Sequence, residues 1–414
     1  MATQSWVSVP SGSDFPIQNL PYGIFQTAGK PARAGVAIGD FIFDLSLAFE
    51  AGLLNDCGLP AENLFAQSTL NAFIDLGKPV WTKTRNRISS LLADEGSPIE
   101  GKTEFLVKQS DARMLMPVHV PDYTDFYSSL EHASNVGKMF RPDQPALLPN
   151  WKHMPIGYHG RASSIFISGT DFHRPKGQTK APTAEKPSYG PSKQLDIELE
   201  MAFIIGQGNP IGSSISTDEA ENHIFGMVLF NDYSARDLQS WEYVPLGPFL
   251  GKNFFSSISP WIVTLDALEP FRTEGPVQDV EVLDYLKFKG KKSFDIQLDV
   301  YLKPENGADN LICHSNHKHL YWNISQQLAH HTVNGCNMRT GDMCASGTIS
   351  AADENGFGSM LELSWRGSKP IQMADGNSRS FLEDGDSITI KGYCEKDGLR
   401  IGFGQVVNKV LPAV

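Results

Sequence analysis

An alternating stretch at residues 192–206 is the clearest pattern of apolar and polar positions in the chain. Every second residue from 195 to 203 is apolar, whereas Asp196, Glu198 and Glu200 occupy positions between them. A period of two predicts a β-strand with one face in a core and one acidic face. Neighbours on one face of a strand lie about 6.6–7 Å apart, so the side chains of Glu198 and Glu200 can reach a single cation.

Alternation by itself does not identify a metal site. Residues 294–300 alternate equally well, and antiparallel sheets commonly leave one face in water. The acidic strand therefore needs support from the rest of the chain.

The first part of the chain predicts a small α+β domain. Residues 36–43 are typical of a hairpin that turns at Gly39, and residues 70–76 and 80–93 have helical patterns. Pro117 and Pro121 follow, and each disfavours helix in the residue before it, which predicts an extended linker.

The length of the chain supports a division at this linker. Its 414 residues exceed the roughly 250–300 at which one hydrophobic core stops growing. We therefore expect an N-terminal domain at residues 1–117 and a larger C-terminal domain at residues 118–414.

A helix is predicted directly after the linker. Asp122 can cap a helix over residues 123–135, which Gly137 would end. Along this helix Asp125 and His132 are seven residues apart and share one face, so the pattern places a carboxylate beside an imidazole.

A Pro-, Gly-, Ser- and Lys-rich loop at residues 142–193 separates that helix from the acidic strand. Long loops within a domain are more often functional than idle, which draws attention to residues 155–161. A second strand is predicted at residues 226–231 and ends on Asp232, which adds a fourth carboxylate at a strand end.

The next helix is predicted to start at Ser234, with Asp237 completing a capping box, and to end at Pro245. A polar stripe runs along it, formed by Arg236, Gln239 and Tyr243. The last third of the chain is typical of strands and turns, with Glu362 alone among apolar residues and a hairpin at Asp397-Gly398. The pattern as a whole predicts a mainly β fold with α+β elements.

Composition narrows the class of function. The formal net charge of −12 lacks the basic footprint that nucleic acids or acidic membranes require, although a small anionic substrate remains compatible. Neither an N-terminal leader nor a run of about 18 apolar residues is present, so we expect a soluble cytoplasmic protein. The five cysteines are scattered without a C-x-x-C motif, which indicates reduced thiols.

The candidate chemistry centres on four carboxylates: Asp125, Glu198, Glu200 and Asp232. These are hard oxygen ligands with no Cys or His beside them at a ligand spacing, which favours Ca²⁺, Mg²⁺ or Mn²⁺ over Zn²⁺ or Cu²⁺. If the four meet in one pocket, their mutual repulsion requires a cation.

Histidines later in the chain offer a zinc alternative. Their spacing fits no H-E-x-x-H pair, and we interpret them as a solvated loop: His314, His317, His319, His330 and His331. Gly206 and Gly208 lack the rest of a dinucleotide fingerprint and are interpreted as a turn.

Six stretches in order resemble the fumarylacetoacetate hydrolase family and together extend over essentially the whole chain: residues 122–141, 155–161, 196–200, 231–243, 251–261 and 347–350. The resemblance implies an SH3-like N-terminal domain, a C-terminal β-roll domain and a homodimer. It also implies hydrolysis of a carbon–carbon bond of 4-fumarylacetoacetate to fumarate and acetoacetate, the last step of tyrosine and phenylalanine breakdown.

The resemblance further implies roles for single residues. The metal, Mg²⁺ or Ca²⁺, would be held by Asp125, Glu198, Glu200 and Asp232. The general base would be His132, oriented by Glu362. Developing charge would be stabilised by Arg236, Gln239 and Lys252, and substrate would contact Tyr127, Arg141, Tyr158, Gln239, Tyr243 and Thr348. A second Mg²⁺ site would use Asp232, Lys252 and Ser256, where the family usually has Gly-Thr in place of Phe255-Ser256.

These side chains suit the cleavage of a 1,3-diketone. Water must attack one carbonyl while the other half leaves as an enolate, which a divalent ion stabilises as a Lewis acid. His132 can take the proton of that water because imidazole titrates near neutral pH. Two alternatives stay open: a catalytically silent binding protein with a structural Ca²⁺ site, and a hydrolase of another acylpyruvate or diketone.

Overall fold

The computed structural model describes residues 4–414, which form a mixed α/β fold dominated by sheets. The strands in chain order are β1 Tyr22–Thr27, β2 Arg33–Ile38, β3 Phe41–Asp44, β4 Leu106–Lys108, β5 Ala112–Leu115, β6 Tyr123–Phe126, β7 Gly157–Gly160, β8 Ile165–Ile167, β9 Phe172–His173, β10 Lys176–Thr179, β11 Ser188–Pro191, β12 Leu195–Asp196, β13 Leu199–Ile205, β14 Ile224–Asp232, β15 Ser234–Ala235, β16 Ser256–Ile258, β17 Val263–Thr264, β18 Arg272–Thr273, β19 Ser293–Phe294, β20 Gln297–Lys303, β21 Asn310–Asn316, β22 Met343–Ala345, β23 Ile371–Gln372, β24 Ser378–Arg379, β25 Ser387–Lys396 and β26 Leu399–Leu411. The α-helices are α1 Leu45–Glu50, α2 Asn71–Ile74, α3 Lys78–Leu92, α4 Leu130–Phe140, α5 Ala220–His223, α6 Arg236–Leu246, α7 Leu265–Leu268, α8 Ile324–Thr332 and α9 Met360–Leu363.

The N-terminal strands form an antiparallel sheet in the order β4-β3-β2-β1-β5. The predicted hairpin is confirmed, with Ile38 paired to Phe41 across Gly39. Glycine is required at this turn because φ is +53° and a Cβ would lie 2.5 Å from the carbonyl oxygen of Ser8. The two helices predicted in this part of the chain are present as α2 and α3.

The central sheet has the order β7-β6-β22-β13-β14-β16-β8, with β17 also paired to β14. In β13 the odd-numbered residues 199–205 enter one core, as the alternation predicts. Ala202 and Ile204 enter a second core that also contains Ile24 of the N-terminal sheet. The opposite face of this strand is therefore acidic only as far as Glu200, and beyond that point it is apolar.

The strand predicted at residues 192–206 is interrupted. β12 pairs with β15, whereas β13 pairs with β14 and β22, and Ile197 and Glu198 connect the two. Asp196 Oδ1 accepts the backbone N–H of Ile197 at 2.7 Å, and the N–H of Glu198 donates to Asn231 Oδ1 at 3.3 Å. Side-chain acceptors thus replace the strand ladder where the chain moves from one sheet to the next.

The helix predicted at residues 123–135 is wrong in its first half, which forms β6. Its aromatic and β-branched residues favour strand, and β6 pairs with β22 and β7. Helix α4 begins only after Ser129, whose Oγ accepts the N–H of His132 at 3.2 Å. The helix then continues through Gly137, where a Cβ would lie 1.8 Å from the carbonyl oxygen of Ala146.

The capping box predicted at Ser234 is also wrong. Ser234 belongs to β15, and α6 starts at Arg236 without a side-chain cap. The carboxylate of Asp237 instead accepts from Ser192 Oγ at 2.6 Å and from the N–H of Lys193 at 2.8 Å. The end predicted for this helix, at Pro245, is close to the observed one, because the backbone of α6 leaves the helical conformation at Val244.

The C-terminal part adds a sheet of order β21-β20-β25-β26-β9. The hairpin predicted at Asp397-Gly398 is confirmed between β25 and β26, and both turn residues have positive φ. Glu362 lies on the short helix α9 and is buried, in a region whose pattern predicts strands and turns. No helix within residues 4–414 has the length and apolar character needed to span a bilayer.

Candidate active site

Four buried carboxylates meet at the central sheet. Ala345 of β22 pairs with Asp125 of β6 on one side and with Ala202 of β13 on the other, so β22 brings β6 close to the acidic end of β13. β14 lies on the other side of β13 and ends at Asp232. One oxygen from each acid lies within 4.8 Å of the other three, and the four are Asp125, Glu198, Glu200 and Asp232.

Two of these acids are paired with cations. Glu198 accepts from Arg236 Nη2 at 2.8 Å and from Lys252 Nζ. Asp232 accepts from Lys252 Nζ at 2.8 Å and from Ser256 Oγ at 2.7 Å. Burial raises the pKa of Glu198, but Lys252 and Arg236 outweigh it and the pKa lies below its ordinary value. Burial raises the pKa of Asp232 above its ordinary value, although Lys252 opposes the shift.

The other two acids form no direct ion pair within residues 4–414. Asp125 Oδ1 and Glu200 Oε1 are buried and have no hydrogen-bond partner within residues 4–414. Burial raises the pKa of both carboxyls well above the usual range, and the charges of neighbouring acids raise it further. The site therefore contains more acidic oxygen than its two cations neutralise.

A histidine borders the acid cluster. His132, in the first turn of α4, places Nδ1 2.7 Å from Glu362 Oε2 and Nε2 4.0 Å from Glu198 Oε1. We assign the proton to Nδ1 because an ionised carboxylate can only accept a hydrogen bond. Nε2 is then left with its lone pair on the side of the acids.

The carboxylate of Glu362 is held from several directions. Burial raises its pKa, but His132 and the hydrogen bonds together hold that pKa below its ordinary value. Besides His132, the donors within 3.0 Å are Asn135 Nδ2, Ser350 Oγ and Ser359 Oγ. Sequence reasoning missed these three residues, because Asn and Ser without a local motif carry no signal.

Comparisons with known proteins show the family of the chain. The profile described as "Fumarylacetoacetate (FAA) hydrolase C-terminal" matches residues 123–411, and "Fumarylacetoacetase N-terminal" matches residues 18–117. The chain belongs to the fumarylacetoacetate hydrolase family. Fumarylacetoacetase of Caenorhabditis elegans is 54% identical, and that of Homo sapiens is 52% identical, each over 99% of both chains. A solved fumarylacetoacetate hydrolase from Exiguobacterium antarcticum has the same fold, with a TM-score of 0.55 at 19% identity over 95% of this chain and 99% of that one.

The fumarylacetoacetate hydrolase family is metal-dependent, and the donor set of this chain fits a metal ion. All four candidate ligands offer carboxylate oxygen, which suits hard divalent cations. The unpartnered atoms Asp125 Oδ1 and Glu200 Oε1 also indicate a metal ion, because buried acceptors without a partner are rare in folded proteins. A cation there would satisfy both atoms and offset the repulsion among the acids.

The polar stripe of α6 partly faces the cluster. Arg236 is buried and donates from Nη1 to Gln239 Oε1 at 3.3 Å. Burial lowers the pKa of Arg236, but Glu198 and Asp196 raise it above its ordinary value. Gln239 is half-buried, whereas Tyr243 is 55% exposed and lies at the rim.

Two tyrosines line the same region. The ring of Tyr127 meets the imidazole of His132 edge to face, with centroids 5.4 Å apart. Burial and the nearby carboxylate of Glu362 raise the pKa of Tyr127. Tyr158 of β7 is the strand partner of Asp125 of β6. Its hydroxyl donates to Asp232 Oδ2 at 3.4 Å.

The two other predicted contact residues differ in their surroundings. Arg141 follows α4, and its Nη2 donates to the carbonyl of Ala146 at 2.9 Å. Thr348 is buried, and its hydroxyl has no partner within residues 4–414. Both lie on segments next to the acid cluster, because α4 carries His132 and β22 ends at Ala345.

The histidines considered for zinc are dispersed. His314 is exposed on β21 and bonds Asp299 at 2.6 Å, whereas His317 is buried and its pKa falls to about 4 by desolvation. The solvated-loop interpretation is therefore wrong for His317, and it is also wrong for His330 and His331, which lie half-buried on helix α8. Among residues 4–414, the groups of three or more potential metal-ligating side chains include none of these histidines.

Proposed function

We propose a mechanism by which this chain hydrolyses 4-fumarylacetoacetate to fumarate and acetoacetate, the last step of tyrosine and phenylalanine breakdown, as a hydrolase acting on a carbon–carbon bond. The observation that carries the proposal is the placement of His132. Glu362 holds Nδ1, and Nε2 points toward Glu198 of the acid cluster at 4.0 Å. A base positioned in this way can act on a water beside the cluster.

The reaction begins when His132 Nε2 takes a proton from that water. The water oxygen bonds to the carbonyl carbon next to the alkene, and the carbonyl electrons move onto its oxygen. When the carbonyl re-forms, the bond to the adjacent methylene carbon breaks and its electron pair leaves with the acetoacetate half as an enolate. The imidazolium returns its proton to that carbon, so one water is consumed and the base is regenerated. Glu362 stabilises the imidazolium between these steps.

We propose that the metal is Mg²⁺ or Ca²⁺ and that its ligands are Asp125, Glu198, Glu200 and Asp232. When bound, the ion supplies Lewis-acid stabilisation of negative charge on the diketone oxygens. The all-oxygen donor set and the unpartnered oxygens of Asp125 and Glu200 support this assignment.

Negative charge would also be met by protein donors. Arg236 and Lys252 are buried cations at the cluster, and Gln239 is bonded to Arg236. Pre-positioned donors of this kind contribute about 3–4 kcal/mol each to transition-state stabilisation. We propose that these donors stabilise the negative charge of the oxyanion and of the enolate.

The anionic substrate requires its own contacts. We propose that Arg141 and Tyr127 hold carboxylates of the substrate, since a guanidinium binds carboxylates with charge-assisted hydrogen bonds. This would let a chain with a net charge of −12 bind an anion. Further contacts are assigned to Tyr158, Gln239, Tyr243 and Thr348.

A second Mg²⁺ site at Asp232, Lys252 and Ser256 is also proposed. Ser256 Oγ lies 2.7 Å from Asp232 Oδ1, so the serine keeps the hydroxyl of the threonine that the family usually has. The Lys252 ammonium lowers the metal affinity expected of this site, because its positive charge already lies 2.8 Å from Asp232 Oδ2.

We infer the remaining properties from membership of the family. They are an SH3-like domain at residues 1–117, a catalytic β-roll domain at residues 118–414, a homodimer, a cytoplasmic location, and no nucleic-acid or membrane partner. The five-stranded sheet of β1 to β5 supports a distinct N-terminal unit, and the acidic net charge supports the last.

The proposal is tested by following loss of the near-ultraviolet absorbance of fumarylacetoacetate with purified protein, with and without a chelator. We expect turnover that stops with the chelator and returns with Mg²⁺ or Ca²⁺. His132→Ala should abolish turnover without loss of fold, whereas the same change at exposed His153 should have no effect.

Two outcomes would redirect the assignment. A silent Ca²⁺-binding protein would bind the ion but turn over no diketone, with or without His132. A hydrolase for another acylpyruvate would show a higher kcat/KM with a different acyl group than with the fumaroyl group.

A further inference from the structure

One buried carboxylate next to the site has no part in the mechanism above. Asp196 is fully buried, and both of its oxygens are bonded. Oδ2 accepts from Arg236 Nε at 2.8 Å and from the N–H of Leu361 at 3.1 Å. Oδ1 accepts from the N–H groups of Met360 and Ile197, both at 2.7 Å.

These bonds reach two separate parts of the site. Arg236 is bonded from Nε to Asp196 and from Nη2 to Glu198, so the two carboxylates together set the plane of the guanidinium. The N–H groups of Met360 and Leu361 open helix α9, where amides lack partners within the helix. The carboxylate of Asp196 therefore holds the start of the helix that carries Glu362.

We propose that Asp196 is a positioning residue for the hydrolysis. It holds Arg236 against Glu198, and it fixes α9 so that Glu362 meets His132 Nδ1. The inference rests on the roles proposed above for Arg236 and Glu362. The sequence marks Asp196 as the first acid of the alternating stretch, but no pattern distinguishes a positioning role for it from the roles of Glu198 and Glu200.

The chain offers a matched control for a purely structural effect. Asp44 is also fully buried, accepts from Arg33 Nε at 2.5 Å and caps helix α1 through the N–H of Leu47 at 3.1 Å. It thus repeats the bonding of Asp196 in the N-terminal part of the chain, away from the acid cluster. A substitution there reports the cost of losing such a bond without touching the site.

The test compares Asp196→Asn with Asp44→Asn in the full-length, metal-loaded protein. The amide oxygen can still accept the N–H of Met360, but the amide NH₂ then faces two donors, Arg236 Nε and the N–H of Leu361. Per folded molecule, we expect kcat to fall about 10- to 100-fold with KM nearly unchanged. Asp44→Asn should lower the melting temperature and leave kcat unchanged.

A double-mutant cycle distinguishes positioning from general damage. In an Arg236→Ala background the loss from Asp196→Asn should shrink severalfold, because the group it positions is absent. Equal losses in both backgrounds would overturn the role of Asp196 toward Arg236, and a folded Asp196→Asn protein with wild-type kcat would overturn the whole inference.

Two further outcomes are separable. If Asp196→Asn does not fold, Asp196→Ser is measured in the same way, since the smaller side chain admits a water beside Arg236, and wild-type kcat in that variant also overturns the inference. If Arg236→Ala or Glu362→Gln keeps full activity, the catalytic role proposed for that residue fails, and the positioning of that residue by Asp196 fails with it. If the wild-type protein turns over no fumarylacetoacetate, the proposed function fails instead.

Discussion

His132 and Glu362 are separated by 230 residues, yet Nδ1 of the histidine lies 2.7 Å from Oε2 of the glutamate. The histidine comes from the first turn of α4, and the glutamate comes from the one-turn helix α9. Both side chains are buried, so the pair is formed by the packing of the two helices and does not depend on flexible side chains meeting in solvent.

Replacing the glutamate should separate its charge from its shape. Glu362→Gln keeps the volume but removes the anion that holds the Nδ1 proton, so the imidazolium loses its stabilising partner. We expect kcat to fall by about 100- to 10,000-fold, the range that general base catalysis contributes. Steady-state kinetics at saturating metal measure this. Glu354→Gln, at a largely exposed side chain that forms an ion pair with Lys369 at 3.6 Å, is the control and should keep wild-type kcat.

Removing the lysine ammonium should have opposite effects on turnover and on metal binding. Lys252→Met loses a donor to the developing charge, so kcat should fall by about 100- to 1000-fold. In the wild-type chain the Lys252 ammonium contacts both Glu198 and Asp232. Its removal leaves these two carboxylates without that cation, so the four-acid site should bind a metal ion more tightly. Calorimetric titration with Mg²⁺ or Ca²⁺ measures the second effect.

The control for this experiment is Lys292→Met, in the ion pair with Glu221 at 3.1 Å. It should alter neither kcat nor metal affinity. Weaker metal binding in Lys252→Met would contradict the prediction.

Gly137 should tolerate no side chain. A Cβ at this position would lie 1.8 Å from the backbone oxygen of Ala146, which no rotamer change can relieve. Gly137→Ala should therefore destabilise the fold by about 1–3 kcal/mol and lower activity, because helix α4 also carries His132. Denaturant unfolding and kinetics check both effects. Gly190→Ala, where nothing lies within 4 Å of the added Cβ, should leave both unchanged.

Buried His317 should make the fold sensitive to acid. Desolvation lowers its pKa from 6.5 to about 4 in the folded state. Between these values the unfolded chain binds a proton that the folded chain does not, so the contribution of His317 to stability is complete above 6.5 and is lost as pH falls. At about 1.4 kcal/mol per pH unit, the loss reaches about 2 kcal/mol near pH 5.

Urea unfolding at about pH 7 and pH 5 measures this difference. His317→Leu should reduce the loss on acidification, whereas His153→Leu, at an exposed position, should retain it. An identical pH dependence in His317→Leu and the wild-type chain would contradict the assignment.

Much of the secondary structure followed from local patterns. The hairpins at Gly39 and Asp397-Gly398 depend on backbone angles that few residues adopt, and the apolar side of β13 depends on a strict period of two. The acids of the alternating stretch and Asp232 were also identifiable from their places on and at the ends of predicted strands, whereas the role of His132 followed from the resemblance of residues 122–141 to the family.

Other features were decided by contacts that no local window contains. Asp125 was predicted on the helix of His132, but pairing with β22 and β7 places it on a strand. Glu362 and Asp196 likewise owe their positions to partners 230 and 164 residues away. Such long-range partners override local propensity because strand pairing, or the hydrogen bonds of a buried carboxylate, stabilise the fold by more than the local helical preference of the same residues.

The sequence by itself therefore determined the hairpins at Gly39 and Asp397-Gly398, the apolar face of β13 and the candidate acids. Only the tertiary structure decided which acids are neutralised by Arg236 and Lys252, and which oxygens, at Asp125 and Glu200, are left for a cation. The physical reason is that backbone propensity acts over a few residues, whereas burial and charge pairing depend on the whole packed chain.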